Sequence, residues 1–220
     1  MGLFDFLKKS RQQSVTSSNP YNDATTNLIY NLLFCDNIEL YKANLAGPVD
    51  YPFDVLFSAT STTEDLQKVI DDSSFDTRIK VLAYNKQLAA GHKPANKELL
   101  AVTVEIGLEK GLDVLASFQD GTARYINQTG KMIIWETTDE TSQKLTSELF
   151  LKSAAIVANI GPWDKARRPA PAKGSMRLSF LVSDGLYFGE GPIDMLFNDP
   201  MASPALDCAT QLMKYISRKK

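Results

Sequence analysis

Three groups of residues in this 220-residue chain have types and spacing that could do chemistry. The first is Arg124 with Trp135, which fall opposite one another on a sheet face if the hairpin between them closes with a two-residue turn. A guanidinium over an indole contributes about 0.5 to 2 kcal/mol and presents a fork to an anionic ligand. The plainer account is an arginine whose stem covers the sheet and whose head reaches water. Tyr125 and Asn127, on the other face, could line a pocket in the same way, although buried polar side chains in sheets usually serve structure.

The second group is a basic, proline-rich loop with Trp163, Lys165, Arg167, Arg168, Pro169, Pro171, Lys173 and Arg177. Such a segment can hold phosphate or an acidic surface, and Trp163 could stack a base; a solvated loop is the alternative. The third is the segment DGLYFGEGPIDMLFND, where Glu190 and Asp194 could act as paired carboxylates or as oxygen ligands for a hard cation. Their spacing matches no calcium loop, and Gly189, Gly191 and Pro192 read as turn residues. A phosphate loop would need a Lys-Ser/Thr pair opening a helix, which the segment lacks.

His92 is the only histidine, so a multi-histidine metal centre is excluded, and a triad would have to use that one ring. Cys35 and Cys208 sit in apolar helical patterns without an activating charge beside them and read as inert core thiols. No metal set and no cofactor fingerprint is legible, and the reaction class, if there is one, is not written in the residues.

The charges are balanced, with 24 basic and 26 acidic residues for a net charge of −2, so no global field draws nucleic acid or anionic lipid. With 44% hydrophobic residues the chain can bury one large core or two small ones. It has two cysteines, no secretory apolar region and no run of about 18 apolar residues, which together read as a reduced cytoplasmic protein without a transmembrane segment.

These groups must be positioned by the elements around them. Residues 1–20 read as an amphipathic segment, Leu3, Phe4, Phe6 and Leu7 followed by Lys8 and Lys9, on a polar linker; weak peripheral membrane contact through residues 1–9 is one expectation, docking on the protein another. Residues 21–95 read as a helical subdomain or layer. Ser61 with Glu64 is the expected capping box of one of its helices. Residues 96–220 read as an antiparallel sheet with two long helices. The first strand is LLAVTVEI, and the meander GLDVLASFQDGTARYINQTGKMIIWE supplies three more.

Asp120-Gly121 and Thr129-Gly130 are read as two-residue turns, which pair Phe118 with Ala123, Ala116 with Tyr125, Tyr125 with Ile134 and Arg124 with Trp135. Both faces of that meander are then apolar, so each must be covered by helices, a partner or a ligand. Thr137 with Glu140 is the expected capping box of a helix over about residues 138–160. A fifth strand over residues 176–182 turns at Asp184-Gly185 into a sixth over residues 186–188, and Ser203 caps the last helix. The expected class is α+β, with about six antiparallel strands packed with helices behind a helical N-terminal layer.

The meander, with LLAVTVEIGLEK before it and RIKVLAYNKQLAAG and LYFGEGPIDMLFNDP elsewhere, resembles a family of bacterial cytoplasmic proteins with no assigned function. The resemblance runs from about residue 50 onward and implies neither a catalytic residue nor a ligand. The leading expectation is a non-enzymatic module that binds a protein partner or itself. A small-ligand-binding domain or unrecognised enzyme is the first alternative. Weak binding of an anionic polymer through residues 163–177 is the second, although nucleic acid is not favoured by the charge balance.

Overall fold

A computed structural model describes residues 18–137 and 139–219; the amphipathic segment at residues 1–9 lies outside them. Among the described residues there are eight helices and one six-stranded antiparallel sheet. The helices α1 (Ala24–Leu32), α2 (Ile38–Asn44), α3 (Phe53–Phe57), α4 (Thr63–Asp71) and α5 (Thr77–Ala89) come first. The strands β1 (Leu99–Gly107), β2 (Leu112–Phe118), β3 (Ala123–Ile126) and β4 (Met132–Trp135) follow. Then come α6 (Glu140–Val157), β5 (Ser175–Val182), β6 (Gly185–Pro192), α7 (Ile193–Asn198) and α8 (Ser203–Arg218). The sheet order is β4-β3-β2-β1-β5-β6, so β1, whose apolar run suits a central position, lies inside the sheet beside β5.

Three layers result. One sheet face packs Val114, Ala116, Phe118, Ile126 and Leu181 against Tyr30 of α1, Leu56 of α3, Leu66, Val69 and Ile70 of α4, and Leu82 and Ala83 of α5. The other packs Val102, Val104, Leu115, Met176, Leu178 and Phe180 against Leu149 and Ile156 of α6 and Leu206, Ala209, Leu212 and Ile216 of α8. The helical layer therefore shares one core with the sheet. Helices of the same chain also cover Leu115 and Ile133 on one face and Ile126 on the other. The two-sided apolar character of the meander is satisfied internally and no longer argues for a partner.

The register of the meander differs by one residue from the sequence reading. Ser117 pairs with Ala123, Ala116 with Arg124 and Leu115 with Tyr125; across the next turn Arg124 pairs with Ile134, and Ala123 with Trp135. Both hairpins use three loop residues. In the first, Gly121 N donates to Phe118 O and Phe118 N to Thr122 O; in the second, Gly130 N donates to Asn127 O and Asn127 N to Lys131 O. Gly121 (φ +88°) and Gly130 (φ +83°) hold the left-handed position of a G1 bulge after a type I turn. The extra residue moves the partner strand by one, and a slip of one exchanges the faces. Arg124 is thereby on the helical-layer face and Trp135 on the α6/α8 face.

Three smaller differences share one cause, competition between adjacent polar residues for the free amides of a helix start. The capping box of α4 is Thr62 with Asp65, and that of α6 is Asp139 with Ser142. The N-cap of α8 is Ala202, and Asp199 Oδ1 accepts from the amides of Met201 and Ala202 in place of a Ser203 cap. The β5–β6 turn is Ser183-Asp184, with Val182 paired to Gly185, so β6 continues through Gly189 and Gly191 to Pro192. Those glycines are strand residues, and IDMLFN forms α7.

Candidate functional site

Two polar or hollow places stand out, one on each sheet face. On the helical-layer face, β1 and β5 set Glu105 opposite Arg177, and β5 and β6 set Arg177 opposite Glu190. Glu105 is fully buried and Arg177 nearly so. Arg177 donates from Nε and Nη2 to Glu190 Oε2 at 2.8 and 2.7 Å, and its remaining donors reach the carbonyls of Arg168 and Pro169. Tyr30 Oη donates to Glu105 Oε1 at 2.6 Å. Glu105 Oε2 has no hydrogen bond; its nearest cation is Arg177 Nη1 at 3.6 Å. Burial raises the Glu105 carboxyl above its ordinary value, against the opposing pull of Arg177 and the Tyr30 hydroxyl.

The basic loop closes over this cluster. Arg167 is buried, donates from Nε to Asp36 at 2.6 Å and from Nη2 to Asn31 at 2.9 Å, and lies 4.0 Å over the ring of Phe34. Arg168 reaches Glu190 at 3.3 Å. Trp163 is held by its neighbours: its amide donates to Leu186 O, its indole nitrogen to Ala166 O, and its ring meets Phe188 edge-on at 5.1 Å. The structure thus gathers Arg167, Arg168 and Glu190 in one place, with Trp163 nearby; Arg167 is turned inward, whereas Arg168 stays about half exposed. Asp194 does not join Glu190, because it projects from the exposed first turn of α7. No group of three or more metal-ligating side chains exists among the described residues.

Arg124 and Trp135 do not stack. Arg124 is buried on the helical-layer face, donating to the carbonyls of Ala123 and Trp135 and to Glu136 at 2.7 Å. Trp135 meets Tyr215 of α8 edge-on at 5.9 Å on the other face, and Tyr215 Oη donates to Asp139. Asn127 is a turn residue whose Oδ1 accepts from the Thr129 hydroxyl and from the amides of Thr129 and Lys131.

On the α6/α8 face, Tyr125 borders the second place. A cleft of about 50 Å³ opens between the sheet and α8, floored by Val104, Ile106 and Leu115 and walled by Leu206, Ala209 and Met213. Asp113, Tyr125 and Thr210 supply its polar edge, and Phe197 its rim. Tyr125 Oη donates to Asp113 at 3.0 Å, and Gln128 N to the other Asp113 oxygen at 2.7 Å. Burial, reinforced by Asp113, pushes the Tyr125 phenol up to about 12. Beyond the rim, α7 and the turn after it expose Met195 (64%) and Met201 (45%).

Sequence reasoning missed Glu105, Tyr30 and Asp36, and likewise Asp113, Phe197 and Met213. A signal existed for the first of these. A single acid in LLAVTVEI and a single base in SMRLSFLV, each in an otherwise apolar strand, are the mark of a buried cross-strand pair. In comparisons with known proteins, no family model and no curated protein matches the chain.

Proposed function

We propose that this chain is a non-enzymatic protein-interaction module of the bacterial cytoplasm, and that it takes an apolar side chain of a partner into the cleft between α8 and the sheet. The observation that carries this reading is the apolar cleft with the partly exposed Phe197 at its rim, on a short helix that, with the turn after it, also exposes Met195 and Met201. Adaptable thioether side chains around a hollow suit contact with another protein. A hollow of about 50 Å³ fits one side chain, whereas metabolite pockets run from about 300 Å³ upward, so the small-ligand reading gains no support from it. The anionic-polymer reading loses Arg167 and Arg177, which are spent on Asp36, Glu105 and Glu190, and is left with the exposed Lys165, Arg168 and Lys173.

The test is capture by the immobilised full-length protein, parent against Phe197→Asp. A protein retained by the parent and lost at least tenfold in the variant supports the reading. Equal retention by both, or none by either, counts against it.

A further inference from the structure

We propose that the apolar side chain taken into the cleft belongs to a basic segment of the partner, in which the residue next to that anchor is lysine or arginine and its cation pairs with Asp113. The proposal rests on the reading of the cleft as an interaction site and names the chemistry of the segment that enters it.

Asp113 is the charged side chain among those that line the cleft. Strand pairing fixes its place. It opposes Ile106 at the end of the sheet where β1 finishes and β2 starts, and Leu115, two residues on, opposes Val104 on the same face. α7 lies at that end too. It follows Pro192, which pairs with Ser175, and the next residue of β5, Met176, pairs with Ile106. The carboxylate and the Phe197 ring therefore border one opening.

This carboxylate is hydrogen-bonded but not neutralised. Its oxygens accept from Tyr125 Oη and Gln128 N, neutral donors that occupy half of the roughly four acceptor positions of a carboxylate. No lysine or arginine among the described residues forms an ion pair with it. On the other face, by contrast, Asp36, Glu105 and Glu190 each meet an arginine. The uncancelled charge is felt nearby: after burial, Asp113 is the next cause that raises the phenols of Tyr125 and Tyr21. A cation brought to the free acceptor positions is attracted in a half-buried setting, which screens less than open water. An acidic neighbour would be repelled there, so the same group selects against the wrong partner.

The size of the hollow decides which residue carries the cation. It admits one apolar side chain, and Asp113 stands at its edge, so the cation belongs to an adjacent residue. That residue's Cα lies about 3.8 Å along the chain from the anchor's, and a long lysine or arginine stem covers the remaining distance.

The test uses full-length protein with carbon-13 methyl methionine and three acetylated, amidated synthetic hexapeptides. These are Gly-Gly-Leu-Lys-Gly-Gly, the same with Glu for Lys, and the same with Gly for Leu. The Met213 methyl, in the cleft wall, is expected to shift at an about threefold lower concentration of the Leu-Lys peptide than of the Leu-Glu peptide. Met176, in the buried core of that face, is expected to stay fixed. In about 0.5 M salt the preference narrows. Asp113→Asn is expected to abolish the preference while the Leu-dependent shift remains, and Tyr125→Phe, which keeps the carboxylate, to preserve it. Equal affinity of the parent for Leu-Lys and Leu-Glu would overturn the inference and leave the cleft as an interaction site. A preference that survives Asp113→Asn would overturn it as well, by placing the charge elsewhere. A Leu-free peptide that shifts Met213 as strongly as Leu-Lys counts against it too, by assigning the hollow to the lysine itself. If no peptide moves Met213, the interaction reading of the cleft falls and the inference falls with it.

Discussion

The two faces of the sheet are built on opposite plans. The helical-layer face buries Thr103, Glu105, Arg124, Arg177 and Ser179 among its apolar residues and is closed by small helices and the loop over residues 158–174. The α6/α8 face is almost wholly aliphatic and aromatic and is closed by two long helices. A paired charge tolerates few alternative geometries, so the first face specifies how the covering loop must sit. Apolar contact is non-directional, and the second face leaves a gap of about 50 Å³ where α8 and the sheet part, against a hollow of about 40 Å³ beside Phe34, Val81 and Leu186 on the first. The proposed binding surface lies on the less specified face.

The largest expected effect tests the first plan. Arg177→Met leaves Glu105 and Glu190 without their buried cation and should cost about 3–5 kcal/mol, read as a fall in the urea midpoint. Glu105→Leu/Arg177→Met should cost less than the single change, because the fully buried carboxylate is gone and Glu190 keeps Arg168 at 3.3 Å. A double variant weaker than the single would mean that the network supplies net stability as well as geometry. On the other face Leu212→Ala, at a position 1% exposed beneath α8, should cost about 2–5 kcal/mol through lost apolar transfer and an unfilled cavity. Neither loss is expected to depend on the cleft.

Acidity separates the faces further. Burial holds the Glu105 carboxyl above its ordinary 4.5, so the folded chain keeps a proton that the unfolded chain has already released. A group shifted in this direction adds stability that is fully present below about pH 4.5 and is lost as the pH rises above it. Glu105→Gln removes that titration. The stability of the parent relative to Glu105→Gln should therefore decline from pH 4 toward pH 7, whereas the parent and Leu212→Ala should stay in parallel. Urea midpoints at the two pH values are the measurement, and parallel curves for Glu105→Gln would mean that Arg177 offsets the desolvation of the carboxylate.

Much of this contrast is legible in the residues. Apolar alternation and helical spacing locate the strands and most helices, because both patterns reflect which side of an element meets the core. Register was not legible. Asp120-Gly121 and Thr129-Gly130 suit a two-residue turn, but Gly121 and Gly130 take the third loop position, and the choice is local. Asp120 accepts from Thr77 N as well as Thr122 N, and Asn127 from Thr129 and Lys131. That single residue decides that Arg124 and Trp135 face opposite ways. Arg167, Arg168 and Glu190 were named from the sequence as ligand or partner candidates; the structure brings them together, but Arg167's partners Asp36 and Asn31 are far away in sequence, and no local pattern could announce them. The cleft is less legible still, since a gap is a property of packing and carries no residue signature.

The smallest expected effect on stability is also the one that ties the second face to binding. Phe197 is 37% exposed at the cleft rim and sits in α7, which has no residue in the buried core. Phe197→Asp removes a partly exposed side chain outside the buried core and buries no new charge, so the urea midpoint should move by about 1 kcal/mol or less in equivalent stability. If the rim is a contact surface, the same substitution should abolish partner capture, because a carboxylate at the entrance must lose water to let an apolar side chain pass. Stability and binding then respond in opposite proportions at Phe197 and at Arg177. A Phe197→Asp protein that is destabilised by several kcal/mol would instead make α7 part of the fold's support, and the asymmetry between the two faces would lose its functional meaning.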